Sequence, residues 1–433
     1  MTVISTSGIR GGFNSDLLPD ELVENARNFA RMLGTDEVLL GRDTRTSSPI
    51  LSRIVTSALL GVGADVIDYG VISTPAIFRE SRRNALPAMI VTASHNEPDW
   101  NGLKFVVNGR GINQKELDHV LRKGAKMAVP APGTSRPAEG FTYNNEVVQI
   151  VGEGSAQGVK VLLDLNGGAA IGHAPDILRR LGCQVNTMGD VPGIFTRTID
   201  PTRDSLDMLC KTVKKQGADV GFAFDCDGDR LVVVDNEGRK RTGDYMFTLA
   251  VREALQNLKE KDVVISVDTT QAVDEIVRDS GGRVFRSKVG EANVMGLMAE
   301  KGVRLGGEGS SGGFIDASFN NCRDSLIAAA LIVGALKKKG TKVYAQVKSY
   351  HQAREKLEIP RKKGLEAIKK LQKEYPQADT LDGLKVRLSN TSWVLLRTSN
   401  TEDGVRVSAE ASSMKEAEQL VHSFLLKVKR AGA

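Results

Sequence analysis

The sequence predicts an α/β protein of three similar α/β units followed by a smaller α+β unit, and three observations carry that prediction. Short apolar runs alternate with amphipathic helical stretches from Pro19 to Lys337, the pattern of parallel strands joined by crossover helices. Each of three such stretches runs into a polar, glycine-rich or charged loop: VTASHNEP, DCDGDR and GGEGSSGG. Beyond Thr341 the alternation gives way to closely spaced strands and one helix, an α+β signature.

Taken in order, Pro19–Leu33 has apolar residues at Leu22, Val23, Ala26, Phe29, Ala30 and Leu33, one helix face, with Pro19 where a helix start tolerates it. Glu37–Gly41 reads as a strand, Ser47 or Ser48 with Pro49 as a helix start, Ile50–Leu60 as that helix, and Asp65–Tyr69 and Ala88–Val91 as strands. The second unit comprises the strand Val159–Leu165, a helix through Leu181, the strand Gln184–Thr187, a helix Asp204–Lys215 and the strand Asp219–Phe224. The third has helices Tyr245–Leu258, Val273–Asp279, Ala292–Glu300 and Ser325–Lys337, with strands Val263–Val267, Arg283–Arg286 and Val303–Leu305 between them. In the last unit Leu384–Ser389, Ser392–Thr398 and Val405–Ala411 read as strands and Met414–Val428 as an amphipathic helix. Boundaries near Arg136, Asn236 and Thr341 divide the chain into units 1–136, 137–236, 237–341 and 342–433.

At 433 residues the chain exceeds one ordinary hydrophobic core. No apolar run approaches the roughly 20 residues of a membrane span, and no basic segment precedes an apolar one at the start, so a cytoplasmic place and no membrane partner are expected. Cys183, Cys210, Cys226 and Cys322 are scattered, which argues against disulfides and zinc. The net charge is +6, but 5% aromatic residues and the lack of a long Lys/Arg block speak against nucleic acid. An excess of positive charge also suits an enzyme that collects a small anion.

Val91 to Phe105 places Ser94, His95, Pro98 and Lys104 together after the apolar run Ala88–Val91, which puts Ser94 on a loop at a strand end, where such sheets carry their chemistry. Taken alone, the stretch reads equally as a catalytic loop or a surface turn. DCDGDR sets Asp225, Asp227 and Asp229 at alternate positions after an apolar strand. Carboxylates this close repel unless a hard cation sits among them, and oxygen ligands select Mg²⁺ or Ca²⁺. A calcium EF-hand needs Gly and Glu where this chain has Arg230 and Asn236, so Mg²⁺, which shares its shell with phosphate, is favoured. GGEGSSGG lacks the ending of a P-loop. GRDTRTS, SGIRG and RTSNTEDGVR each offer arginines in loops, and in isolation each reads as an ordinary solvated turn.

Together these motifs match one family in order and spacing, and the chain resembles the α-D-phosphohexomutases over essentially its whole length. The resemblance rests on the TASHNP-like serine loop, D-x-D-x-D-R, Lys288-Val-Gly290, G-G-E-x-S and R-x-S-N-T. It implies the four units set around one central cleft. It implies that Ser94 is the phosphorylated serine and that Mg²⁺ binds Asp225, Asp227, Asp229 and a phosphoserine oxygen. Arg10, His95 and Lys104 match positions around the transferring phosphoryl group, with Arg230 in the same shell. Lys288, Glu308 and Ser310 match sugar-recognition positions, while Arg397, Ser399, Asn400 and Thr401, with Arg406 beside them, match the loop holding the non-reacting phosphate. The implied reaction interconverts sugar 1-phosphate and sugar 6-phosphate through a sugar 1,6-bisphosphate, by a monomer or homodimer.

The chain departs from the family in three places. Gly312 stands where many members have His, Ser311 makes the serine assignment ambiguous, and Asp403 replaces the usual proline. Lys288-Val-Gly-Glu291-Ala-Asn looks most like the archaeal-type phosphoglucosamine/phosphomannomutase branch, so glucosamine phosphate is the expected substrate, with mannose and glucose phosphates as alternatives. A Mg²⁺-dependent sugar phosphatase using an Asp nucleophile, or a silent sugar-phosphate-binding protein, are the remote alternatives.

Overall fold

The computed structural model describes residues 2–122, 131–398 and 403–432. Its first sheet runs β1 (Val3–Ser5), β2 (Gly8–Gly12), β3 (Glu37–Arg42), β4 (Asp65–Val71), β5 (Ala88–Val91), β6 (Trp100–Val107), β7 (Arg110–Gly111) and β8 (Ser135–Pro137) along the chain. In space the order is β1-β2-β6-β5-β3-β4-β8, with β7 paired to β6. The second sheet holds β9 (Lys160–Asp164), β10 (Gln184–Met188), β11 (Val220–Phe224) and β12 (Leu231–Asp235), and the third β13 (Val263–Ser266), β14 (Val284–Ser287), β15 (Leu305–Glu308) and β16 (Gly313–Asp316). Their orders, β10-β9-β11-β12 and β14-β13-β15-β16, repeat the β4-β3-β5-β6 segment of the first sheet.

In each repeat three strands are parallel and the fourth turns back antiparallel on the third. The three polar loops singled out in the sequence are therefore the same connection built three times, between the third strand and its antiparallel neighbour. This corrects the purely parallel reading of the units. The returning strands lay hidden because residues such as Trp100-Asn101-Gly102 and Gly312-Gly313 resemble loop. β6 has Asn101 to Val107 buried on both faces, so it shows no polar alternation. Gly102 is required there, since a Cβ would lie 2.2 Å from the Ile9 carbonyl oxygen on β2. Lys104 consequently stands on a strand, not at the far end of a loop.

The last sheet, β17 (His351–Leu357), β18 (Leu384–Arg387), β19 (Trp393–Thr398) and β20 (Val405–Ala411), has the order β17-β20-β19-β18 and is antiparallel throughout. Sequence reading missed β17 and the helices Thr74–Asn84, Gln114–Val120, Tyr143–Val151 and Arg361–Glu374, and began at Asp204 a helix that starts at Asp207. Thr74–Asn84 carries four charged or amide side chains in its second half, which masks its buried face of Ala76, Ile77, Phe78, Glu80 and Ser81. One continuous core joins the second and third units and reaches the first through Ile72, Ile77 and Phe78; the last unit closes its own core around Leu371, Leu396, Val407, Val421 and Phe424. Rigid sheets thus hold the three loops toward one another.

Candidate active site

Ser94 begins the first loop in left-handed backbone, φ +53°, and is fully buried. A non-glycine residue pays for that conformation, so something must hold it. Its N–H donates to Thr92 Oγ1 at 2.8 Å. The rest of the loop is gathered by Arg45, which has no exposed surface. Its guanidinium donates to the carbonyls of Ser94 and Asn96 at 2.7 Å each, of Trp100 at 3.0 Å, and of Glu97. Asp43 fixes Arg45 from the opposite side, Nε to Oδ2 at 3.0 Å. Arg45 comes from GRDTRTS, a segment that sequence alone left as a solvated turn.

The DCDGDR turn between β11 and β12 faces Ser94. Ser94 Oγ lies 3.4 Å from Asp225 Oδ2 and 3.4 Å from His95 Nδ1. All three aspartates are buried, and one oxygen from each lies within 4.8 Å of the others. Asp227 Oδ1 and Asp229 Oδ1 are buried without a hydrogen-bond partner among the described residues. Orphaned carboxylate oxygens in a dry site are costly unless a cation takes them, so this donor set fits a hard, oxygen-seeking ion.

Cations close the shell. Lys104 Nζ donates to Asp227 Oδ2 at 2.6 Å, Asp229 Oδ2 at 3.2 Å and Thr74 Oγ1 at 3.3 Å, and Thr74 itself donates to Asp227 Oδ2 at 2.6 Å. Burial works against the charge on Lys104, but Asp227 and Asp229 outweigh it and raise its pKa. Arg230 pairs with Asp200 at 3.0 Å and approaches His95 Nε2 at 3.4 Å. His95 is pushed far down, by burial first and then by Arg230, Arg10 and Arg323, so its ring is neutral. Burial and the neighbouring Asp229 and Asp227 push Asp225 up, whereas Asp229, although buried, is held low by Arg323, Lys104 and Arg230. Arg10, on β2, donates to the Ser7 carbonyl at 3.2 Å, and burial lowers its pKa.

The third loop brings Glu308, whose Oε1 accepts the Gly290 N–H at 2.6 Å; burial raises its pKa. Ser310 is half-buried beside it, while Ser311 Oγ donates to the Glu308 carbonyl at 3.1 Å. Lys288 is exposed. In the last unit Arg397 pairs with Asp382 at 2.8 Å, and Asp382 also accepts the Val289 N–H at 3.0 Å, joining that unit to the 288–290 segment. Arg397 and Arg406 are register partners across β19 and β20. Ser399, Asn400 and Thr401 lie outside the described residues.

Arg45, Thr74, Asp200 and Arg323 belong to this arrangement and were missed as site residues. Arg323, seven per cent exposed, sets Nη2 2.8 Å from Asp229 and Nε 3.0 Å from Glu291. The only sequence signal for it was its place just before the helix Ser325–Lys339. A cavity of about 450 Å³ adjoins the centre, lined by Ser7, Arg10, Lys104, Glu291 and Arg323 among others. The arrangement offers a buried hydroxyl, a cation-ready carboxylate cluster and a ring of fixed positive charge, which suits the transfer of a phosphoryl group.

Comparison with known proteins agrees with this chemistry. The chain matches models of phosphoglucomutase/phosphomannomutase: alpha/beta/alpha domain I at residues 1–127, domain II at 142–238, domain III at 242–353 and the C-terminal domain at 355–427. A probable phosphoglucosamine mutase of Methanopyrus kandleri is 32% identical over 98% of this chain and 97% of its own. One of Thermococcus kodakarensis is 33% identical over 98% of each. The crystal structure of a phosphoglucomutase/phosphomannomutase family protein from Burkholderia thailandensis superposes with a TM-score of 0.84 at 26% identity, covering 99% of this chain and 98% of the other.

Proposed function

The chain belongs to the phosphoglucomutase/phosphomannomutase family, and from that premise we propose that it interconverts glucosamine 1-phosphate and glucosamine 6-phosphate with Ser94 as the phosphoryl carrier. The phosphohexose mutase activity follows from membership. The choice of sugar draws on the phosphoglucosamine mutases named among its relatives; the geometry above supports the roles of the described residues, and those of Ser399, Asn400 and Thr401 draw on the sequence motif alone. The observation that carries the reading is Ser94 Oγ, buried and 3.4 Å from Asp225, on a loop locked by Arg45.

In the first half-reaction the free hydroxyl of a bound sugar monophosphate attacks the phosphorus on Ser94. The new O–P bond forms as the Ser94 Oγ–P bond breaks, leaving sugar 1,6-bisphosphate and the Ser94 hydroxyl. In the second, the turned bisphosphate returns its other phosphoryl group to Ser94. Arg10, Lys104 and His95 surround the transferring group; Arg10 and Lys104 neutralise its charge, and the three are the groups in place to move the hydroxyl proton. Asp225, Asp227 and Asp229 would hold Mg²⁺ with an oxygen of the phosphoserine, and that ion would supply charge neutralisation for the phosphoryl oxygens. Arg230, kept in place by Asp200, clamps a phosphoryl oxygen. Glu308 and Ser310 take sugar hydroxyls, with Lys288 at the rim. Arg397, Ser399, Asn400 and Thr401 grip the second phosphate, drawing Arg397 away from Asp382.

We take the units as 1–136, 137–236, 237–341 and 342–433, working in the cytoplasm as a monomer or homodimer with sugar 1,6-bisphosphate as activator. The discriminating experiment measures kcat/KM on glucosamine, glucose and mannose 1-phosphates with Mg²⁺ and the matching 1,6-bisphosphate. Glucosamine 1-phosphate is expected to lead. A lead for mannose or glucose 1-phosphate overturns the choice of sugar, and no turnover of any of them overturns the mutase.

A further inference from the structure

Glu291 opens the helix Glu291–Lys301, and one arginine holds its carboxylate from two directions. Arg323 Nε lies 3.0 Å from Glu291 Oε2, and the Arg323 backbone N–H donates to Oε1 at 3.3 Å. The same guanidinium sets Nη2 2.8 Å from Asp229 Oδ2 and Nη1 3.9 Å from Glu308 Oε2. One positive charge therefore serves three carboxylates from three segments, and Glu291 keeps open acceptor positions. The stem of Arg323 reaches this point across Gly313, where a Cβ would lie 2.2 Å from its Cδ, next to the Gly312 that stands in place of the histidine seen in many members.

Glu291 also lines the cavity of about 450 Å³, whose other charged walls are Arg10, Lys104, Arg110 and Arg323. A ligand suited to it presents an anionic phosphoryl group to the cations and a positively charged group to the Glu291 carboxylate. Among hexose phosphates a 2-amino sugar has both. A 2-hydroxyl can donate to a carboxylate too, but a bond between two charged partners is the stronger.

We propose that Glu291, positioned by Arg323, is the specificity-determining residue that reads an ammonium group at C2 of the substrate. This rests on the mutase reading. It also gives the 288–291 segment a stated chemistry: discrimination between amino and hydroxy sugars by charge, with Arg323 tying that reader to the aspartate cluster.

The test compares the full-length protein with Glu291→Gln, Glu291→Asp and Arg323→Lys on glucosamine 1-phosphate and glucose 1-phosphate, with Mg²⁺ and matched bisphosphates. Glu291→Gln keeps size and acceptor but removes the charge. Its kcat/KM is expected to fall about tenfold further on glucosamine than on glucose phosphate, the gap between a charged and a neutral hydrogen bond. Most of that extra loss should enter through KM. Glu291→Asp should recover part of the discrimination, and Arg323→Lys, which cannot span the same carboxylates, should lose it while also lowering kcat on both sugars. Equal losses on both sugars in Glu291→Gln overturn the inference and leave the mutase standing, as does a wild type that turns over glucose but not glucosamine phosphate. A wild type inactive on every sugar 1-phosphate overturns the mutase reading itself.

Discussion

Replacing Arg45 by Lys tests how the Ser94 loop is built. The guanidinium satisfies five acceptors, namely Asp43 Oδ2 and the carbonyls of Ser94, Asn96, Glu97 and Trp100. An ammonium has three protons, so at least two of those acceptors lose their partner in a site from which water is excluded. At about 1–3 kcal/mol for each unsatisfied buried group, the folded state loses about 2–6 kcal/mol. Left-handed Ser94 is then free to relax, and a misplacement of about 1 Å can cost about a hundredfold in rate. Calorimetry on the phosphorylated protein should show a lower first transition, and the mutase assay a fall of about a hundredfold in kcat with Mg²⁺ saturating. Arg45→Lys with wild-type kcat and wild-type melting would refute the view that this arginine shapes the catalytic loop.

Ser94→Ala is expected to lose nearly all mutase turnover yet retain Mg²⁺ and sugar-phosphate binding by calorimetric titration; full activity would sink the mechanism. Gly102→Ala should destabilise the first unit by about 1–3 kcal/mol, read as a lowered denaturation midpoint, because its Cβ would lie 2.2 Å from the Ile9 carbonyl oxygen. Lys385 donates to the Val267 carbonyl at 2.6 Å and lies over Trp393, and burial lowers its pKa to about 7. Between about pH 7 and pH 10 the unfolded chain binds this proton and the folded one does not, so its contribution to stability rises with pH across that window. Lys385→Met should remove that slope in urea melts, and an unchanged slope would count against the burial argument.

The sequence was most legible where chemistry demands rare residues at fixed spacing. Asp225, Asp227 and Asp229 could be read as a cation site because alternate carboxylates after an apolar strand have few other uses. Ser94 was legible as a loop residue because the run Ala88–Val91 is so plainly a strand. What escaped was whatever depends on a return path. β6 is buried on both faces and opens in Trp-Asn-Gly, and β16 opens in Gly, so neither alternation nor composition marks them, while the apolar run Leu231–Val234 of β12 gives no sign in sequence that it turns back antiparallel. Seeing them turns three separate motifs into one repeated hairpin and accounts for their convergence. Arg45 and Arg323 escaped for a related reason, since an arginine that binds distant carbonyls and carboxylates looks in sequence like any solvated one. Asp200 and Thr74, thirty residues before Arg230 and thirty before Lys104, likewise have no local signature.

The central claim is that Ser94 gives its phosphoryl group to one position of the sugar and takes back the group from the other. The direct measurement loads the protein from glucose 1,6-bisphosphate bearing labelled phosphate, maps the label by peptide sequencing, and chases with unlabelled glucosamine 1-phosphate and Mg²⁺. The account predicts acid-stable label on Ser94 alone, leaving during the chase into glucosamine 1,6-bisphosphate and then into glucosamine 6-phosphate. Label on an aspartate, or label on Ser94 that is released only as inorganic phosphate, would contradict it.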